Sequence, residues 1–119
     1  MTPFSLKQIT PTGSGFRAVM TPDAASVIYK AHFPGSPVTP GACLVEAVCN
    51  LMERHYGCKL RLREIKNVKF LSIIIPDGQG DVEFDITCSA EESSPIYTVK
   101  ATVSKADSTC AKMSLVFKA

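Results

Sequence analysis

The stretch His32-Phe33-Pro34-Gly35-Ser36-Pro37-Val38-Thr39-Pro40-Gly41, continued by Ala42-Cys43-Leu44-Val45-Glu46-Ala47-Val48-Cys49-Asn50, decides how the rest of the chain is read. Its first half is a loop stiffened by three prolines, each holding φ near about −65°. Thr39 as N-cap and Pro40 as first helical residue predict a helix start there. Gly41 then falls in the first turn, where a backbone N–H has no acceptor inside the helix and no side chain keeps a ligand away. The helix is expected to run to about Tyr56 and to end at Gly57 as a left-handed C-terminal residue.

From Ala42 to Met52 nearly every face of that helix is apolar, which predicts burial rather than a surface position. Glu46 stands out, because a buried carboxylate is costly unless paired or neutralised. Asn50 follows one turn later, within reach of Glu46. On pattern alone a plainer account also holds: Glu46, Asn50 and Glu53 as the wet stripe of an ordinary amphipathic helix, and His32 as a loop histidine bonded to a carbonyl.

The stretch HFPGSPVTPG followed by LVEA and Asn50 resembles the signature of the β-hydroxyacyl-ACP dehydratases of fatty acid synthesis, approximately HFPGxPxxPGVLxxEAxxQ. The match is close over residues 32–50 and loose over the strands beyond. It departs at Ala42-Cys43, where the family usually has Val-Leu, and at Asn50, where it usually has Gln.

Length and composition fit this. A chain of 119 residues, 45% apolar, suits one domain, 1–119, with a real core. A net charge of +2 lacks the basic excess of a nucleic-acid binder, and no apolar run reaches the roughly 18 residues of a membrane span. The start, Met1-Thr-Pro-Phe-Ser-Leu-Lys, does not read as a signal peptide. Five cysteines, at 43, 49, 58, 88 and 110, are an odd number and read as reduced cytoplasmic thiols. Cys43, near a helix start, is a weak candidate nucleophile beside its reading as a packed thiol. His55 and Cys58 lack further ligands for a metal, so no metal site is read here.

In chain order, residues 3–10 and 16–20 read as strands, and 24–29 as a short helical or irregular link. Cys58 to Ile75 reads as one bent strand or two short ones, carrying Lys59, Arg61, Arg63, Lys66 and Lys69. Period-two alternation over 81–88, 97–103 and 111–118 predicts three half-buried antiparallel strands. A sheet curled around one apolar helix satisfies the whole pattern. The resemblance implies the same α+β architecture, the hot-dog fold, with two subunits pairing edge to edge and active sites at their interface.

The resemblance implies dehydration of a 3-hydroxyacyl thioester delivered by acyl carrier protein, without a cofactor. His32 would take the α-proton, since imidazole is largely neutral and basic near pH 7. The Gly41 N–H, at the positive end of the helix dipole, would stabilise the charge growing on the carbonyl oxygen. Glu46, reached from the partner subunit, would protonate the leaving hydroxyl if its apolar surroundings keep a proton on it. Relatives that also isomerise the double bond carry aspartate at this position, so glutamate favours simple dehydration. Asn50 would orient Glu46. Phe33, Phe70 and Leu71 are candidate walls for the acyl chain. The Lys59–Lys69 stretch would steer the acidic carrier, or is simply a solvated strand face. Two further readings stay open: a thioesterase on the same fold, and a non-catalytic hot-dog subunit that binds acyl chains or pairs with an active partner.

Overall fold

The computed structural model describes residues 2–31, 35, 37–78, 80–91 and 93–119. Its elements are β1 (Phe4–Pro11), β2 (Gly15–Pro22), α1 (Val27–Ala31), α2 (Gly41–Tyr56), β3 (Arg61–Phe70), β4 (Val82–Ala90), β5 (Ile96–Lys105) and β6 (Ser108–Lys118). The strands form one antiparallel sheet in the order β1-β2-β4-β5-β6-β3, so β1 and β3 are its edges.

Alternation dictates which side chains leave water. Phe16, Ile86, Ala101, Met113 and Val68 lie opposite one another in turn across five strands and form one inner row. Ala18, Phe84, Val103, Ala111 and Phe70 form the next. Leu44, Ala47, Val48, Leu51 and Met52 of α2 join these rows in a single core. Burying a side chain of this size contributes about 1.5–3 kcal/mol. The outer face alternates charged and hydroxyl residues, as expected of a sheet with one wet side.

Four details differ from the sequence reading. Pro40, not Thr39, caps α2; its backbone is extended at φ −61° and ψ 140°, and no side chain caps the helix. Thr39 instead turns inward and is buried. The α2 helix is buried on one face only: Ala42 and Asn50 are exposed, and Val45, Glu46 and Cys49 are partly so. Finally, β3 stops at Phe70, and residues 71–76 continue outside the ladder. That segment is held by Leu71 N–H to the Cys110 carbonyl (2.7 Å), Thr39 N–H to the Ile74 carbonyl (2.8 Å) and Lys105 Nζ to the Ile75 carbonyl (2.8 Å).

The C-terminal end of α2 is as expected. Gly57 is left-handed at φ 66°, and its N–H bonds the Glu53 carbonyl at 2.9 Å. The Glu53 carboxylate accepts from Leu60 N–H at 2.9 Å, which aims the chain into β3. Gly15 has a different job. It passes so close to the Ile86 carbonyl that a Cβ there would collide with β4 backbone. Gly15→Ala should therefore lower stability by about 1–3 kcal/mol in urea unfolding, the usual cost of overpacking; an unchanged midpoint would contradict this close approach.

Candidate active site

Gly41 is the first residue of α2, so its N–H finds no acceptor within the helix. The Phe70 ring lies over its Cα: a Cβ on Gly41 would sit 2.5 Å from the ring's Cζ. Two residues expected at the site, one a polar donor and one an apolar wall, thus meet at the helix start. Phe70 is nevertheless 57% exposed, and Leu71, Ile73 and Ile75 beyond it are exposed as well. Glu46 stands on the partly exposed stripe of α2, five residues on and so about 7.5 Å along the axis.

Asn50, one turn after Glu46, is exposed and lines a groove of about 230 Å³ with Phe4, Leu6, Met20, Leu51 and Arg54. His32 and Phe33 lie outside the described residues. Two described residues on either side of them, Tyr29 and Thr39, are bonded to each other. Tyr29 of α1 is 2% exposed, and its hydroxyl meets Thr39 Oγ1 at 2.8 Å. Burial lifts the Tyr29 phenol above its ordinary range, outweighing the Thr39 hydrogen bond. Nothing in the local sequence signals this pair, because the two residues are ten positions apart.

Electrostatics disfavour Cys43 as a nucleophile. Burial pushes its thiol up, and the neighbouring Glu46 charge pushes the same way. Cys49 is pushed up further, to about 11, by burial and then by Glu53, with Glu46 adding to both. All five cysteines are free thiols. His55 is stacked on Phe16, with ring centroids 4.3 Å apart, as part of an aromatic cluster with Tyr56 and Tyr97.

The basic residues are distributed more sharply than the sequence indicated. Arg17 pairs with Glu83 and Asp85, Lys7 with Asp81, and Lys105 with Asp77. On the outer face, Lys112 stands directly across from Lys69 on β3, and Lys100 lies across from Ser114. These three lysines surround a shallow depression with Asn67, Thr102 and Ser114. Among the described residues no carboxylate pairs with them.

A family model described as ApeI-like, ApeI dehydratase, matches residues 8–113, nearly the whole chain. The chain belongs to the ApeI-like dehydratase family. It is also similar to curated 3-hydroxyacyl-[acyl-carrier-protein] dehydratases called FabZ. That of Clostridium acetobutylicum is 30% identical over 50% of this chain and 47% of its own length. That of Levilactobacillus brevis is 29% identical over 75% of this chain and 63% of its own. The chain thus spans only about half to three-fifths of these relatives.

Among solved structures, the dehydratase heterocomplex ApeI:P of Xenorhabdus doucetiae matches with TM-score 0.73 and 17% identity over all of both chains. A mutant thioesterase of Pseudomonas aeruginosa matches with TM-score 0.68 and 15% identity, over 97% of this chain and 79% of that one. At these identities the structural likeness establishes the hot-dog fold and no more. Among the described residues no helix is long and apolar enough to cross a membrane.

A raised thiol pKa leaves little thiolate at moderate pH. With Cys49 at about 11, roughly one thiol in a thousand is ionised at pH 8. Iodoacetamide should therefore label Cys43 and Cys49 far more slowly in the folded protein than in urea, with the Cys49 rate climbing toward pH 11. Fast labelling of either in the native state at pH 8 would contradict the assignment.

Proposed function

We propose that the protein is a 3-hydroxyacyl-[acyl-carrier-protein] dehydratase, a hydro-lyase that converts a 3-hydroxyacyl thioester to the trans-2-enoyl thioester and water. The observation that carries the reading is the start of α2, where the Gly41 donor lies beneath the Phe70 ring and Glu46 follows on the open stripe of the same helix. The thioester carbonyl oxygen accepts from Gly41 N–H, and the helix dipole stabilises the enolate-like charge. His32 takes the α-proton. Glu46 protonates the β-hydroxyl, the C–O bond breaks, and water leaves. Asn50, one turn on, orients Glu46. Phe33, Phe70 and Leu71 wall the acyl chain.

The site is composite in this reading, with His32 of one subunit facing Glu46 of its partner in a homodimer or higher homo-oligomer. Two features support a second copy. The apolar stripe Val45–Cys49 of α2 is left partly open by a single chain. Edge strand β3 exposes Leu62 and Ile65, continued by Phe70, Leu71, Ile73 and Ile75. An uncovered edge with apolar side chains invites strand pairing. The heterocomplex of the Xenorhabdus neighbour makes a different hot-dog chain the alternative partner. The carrier protein, an acidic partner, docks on the cytoplasmic enzyme through Lys69, Lys100 and Lys112; Lys69 is one residue from Phe70.

His32→Ala and Glu46→Gln should each lower enoyl formation by at least about 10²-fold. Co-expressed, the two variants should regain about a quarter of the activity, since half the dimers then hold one intact site. No recovery would contradict the composite site. Because the fold also houses a thioesterase, the product decides the reaction: enoyl thioester supports dehydration, and free thiol with 3-hydroxy acid overturns it.

Replacing Lys69, Lys100 and Lys112 together by Glu should raise KM for the carrier-linked substrate at least about tenfold and reverse the sign of its salt dependence, because salt then screens a repulsion. KM for the matching N-acetylcysteamine thioester should not move. Equal effects on both substrates would exclude this docking face.

A further inference from the structure

We infer that Lys105 is a positioning residue for the proposed oxyanion donor: its ammonium group ties down the segment 71–77, and that segment holds the backbone that presents the Gly41 N–H. The inference rests on the dehydratase reading of the same site. Lys105 acts through the backbone, with no contact to substrate.

The end of a hairpin strand is an odd place to bury an ammonium, since lysine normally keeps its head in water. Yet only 12% of the Lys105 side chain is exposed. Its Nζ donates to the Ile75 carbonyl and to Asp77 Oδ1, each at 2.8 Å. Neither bond serves β5 or its ladder. Both reach a segment that lies outside the sheet. The Ile75 carbonyl also accepts from Asp77 N–H at 2.9 Å, so ammonium, carboxylate and turn close into one unit. Charge-assisted bonds of this kind are stronger than neutral ones.

The other end of the segment is held by the Cys110 carbonyl, which accepts from Leu71 N–H at 2.7 Å and Ser72 N–H at 3.2 Å. Between these anchors Ile74 drops into the core, 1% exposed, while Ile73 and Ile75 point out. The Ile74 carbonyl accepts from Thr39 N–H at 2.8 Å. The Tyr29 hydroxyl restrains the Thr39 side chain, whereas Ile74 restrains its backbone. Pro40 alone separates Thr39 from Gly41, and its ring fixes φ, here −61°. A shift of the Thr39 backbone is therefore passed to the first residue of α2 with little slack. Phe70, immediately before the segment, packs its ring on Gly41. Displacing the segment thus disturbs both neighbours of the donor.

Amide hydrogen exchange followed by NMR reads the tie directly. Enoyl formation from a 3-hydroxyacyl N-acetylcysteamine thioester reads its consequence. Lys105→Met keeps the apolar stem and removes the ammonium. In that variant Thr39 N–H should exchange at least about tenfold faster, while the Val48 and Leu51 amides of the core change far less. Its kcat should fall about ten- to a hundredfold with KM within about twofold of wild type, the loss expected of small misplacements. Lys105→Arg, which keeps the charge and N–H donors, should recover most of both. Asp77→Asn, at an exposed turn, should move both in the same direction by less, and it decides the matter if Lys105→Met does not fold. Unchanged Thr39 exchange, core amides accelerated as much as Thr39, or faster Thr39 exchange with wild-type kcat would each overturn the positioning role and leave the dehydratase reading intact. Wild-type protein that forms no enoyl product would overturn that reading and this inference with it.

Discussion

The packing of α2 on the inner rows of the sheet is the constraint from which the rest follows. Leu44, Ala47, Val48, Leu51 and Met52 can leave water only because Phe16, Ile86, Ala101 and Met113, with the row beside them, present an apolar surface curled to meet a helix. That contact fixes the axis of α2 against the sheet. It thereby fixes where the helix begins, and the helix start is where an unpaired donor and a positive dipole end become available for chemistry. Val45, Glu46 and Cys49 lie off that contact, so the same packing also decides which stripe of the helix remains partly open.

An open apolar stripe carrying one carboxylate has a definite physical meaning. In the proposed dimer, a partner chain would cover that stripe and take Glu46 out of water. In that reading the surface proposed to pair two chains also carries the proposed acid. The exposed β3 edge belongs to the same logic, because pairing there would bring a second helix toward the first.

Much of this was legible in the sequence. The strands β4, β5 and β6 announced themselves because one face of each is wet and the other dry, which imposes a period of two. Gly57 was legible because a left-handed helix end favours a residue without a Cβ. The cap at Thr39 was misread: Ser and Thr cap helices when their hydroxyls face the helix, but here Tyr29 competes for the hydroxyl from an element that local pattern does not reveal. The all-round burial of α2 was overestimated for a related reason, since an apolar stripe looks alike whether its cover is the same chain or another. The lysine cluster was invisible because Lys69, Lys100 and Lys112 come from three strands and meet only through register.

The candidate site was legible through its motif rather than its periodicity. Gly41 and Phe70 are 29 residues apart, on α2 and β3, and the ring meets the glycine only through the tertiary fold. A crystal structure of the assembled protein with a non-reactive 3-hydroxyacyl thioester analogue tests the central claim most directly. The account predicts the analogue's carbonyl oxygen within hydrogen-bond distance of Gly41 N–H, His32 of the same chain at the α-carbon, and Glu46 of a second chain at the β-hydroxyl. An analogue seated away from the start of α2, or a Glu46 that no bound thioester can reach from any chain of the assembly, would contradict it.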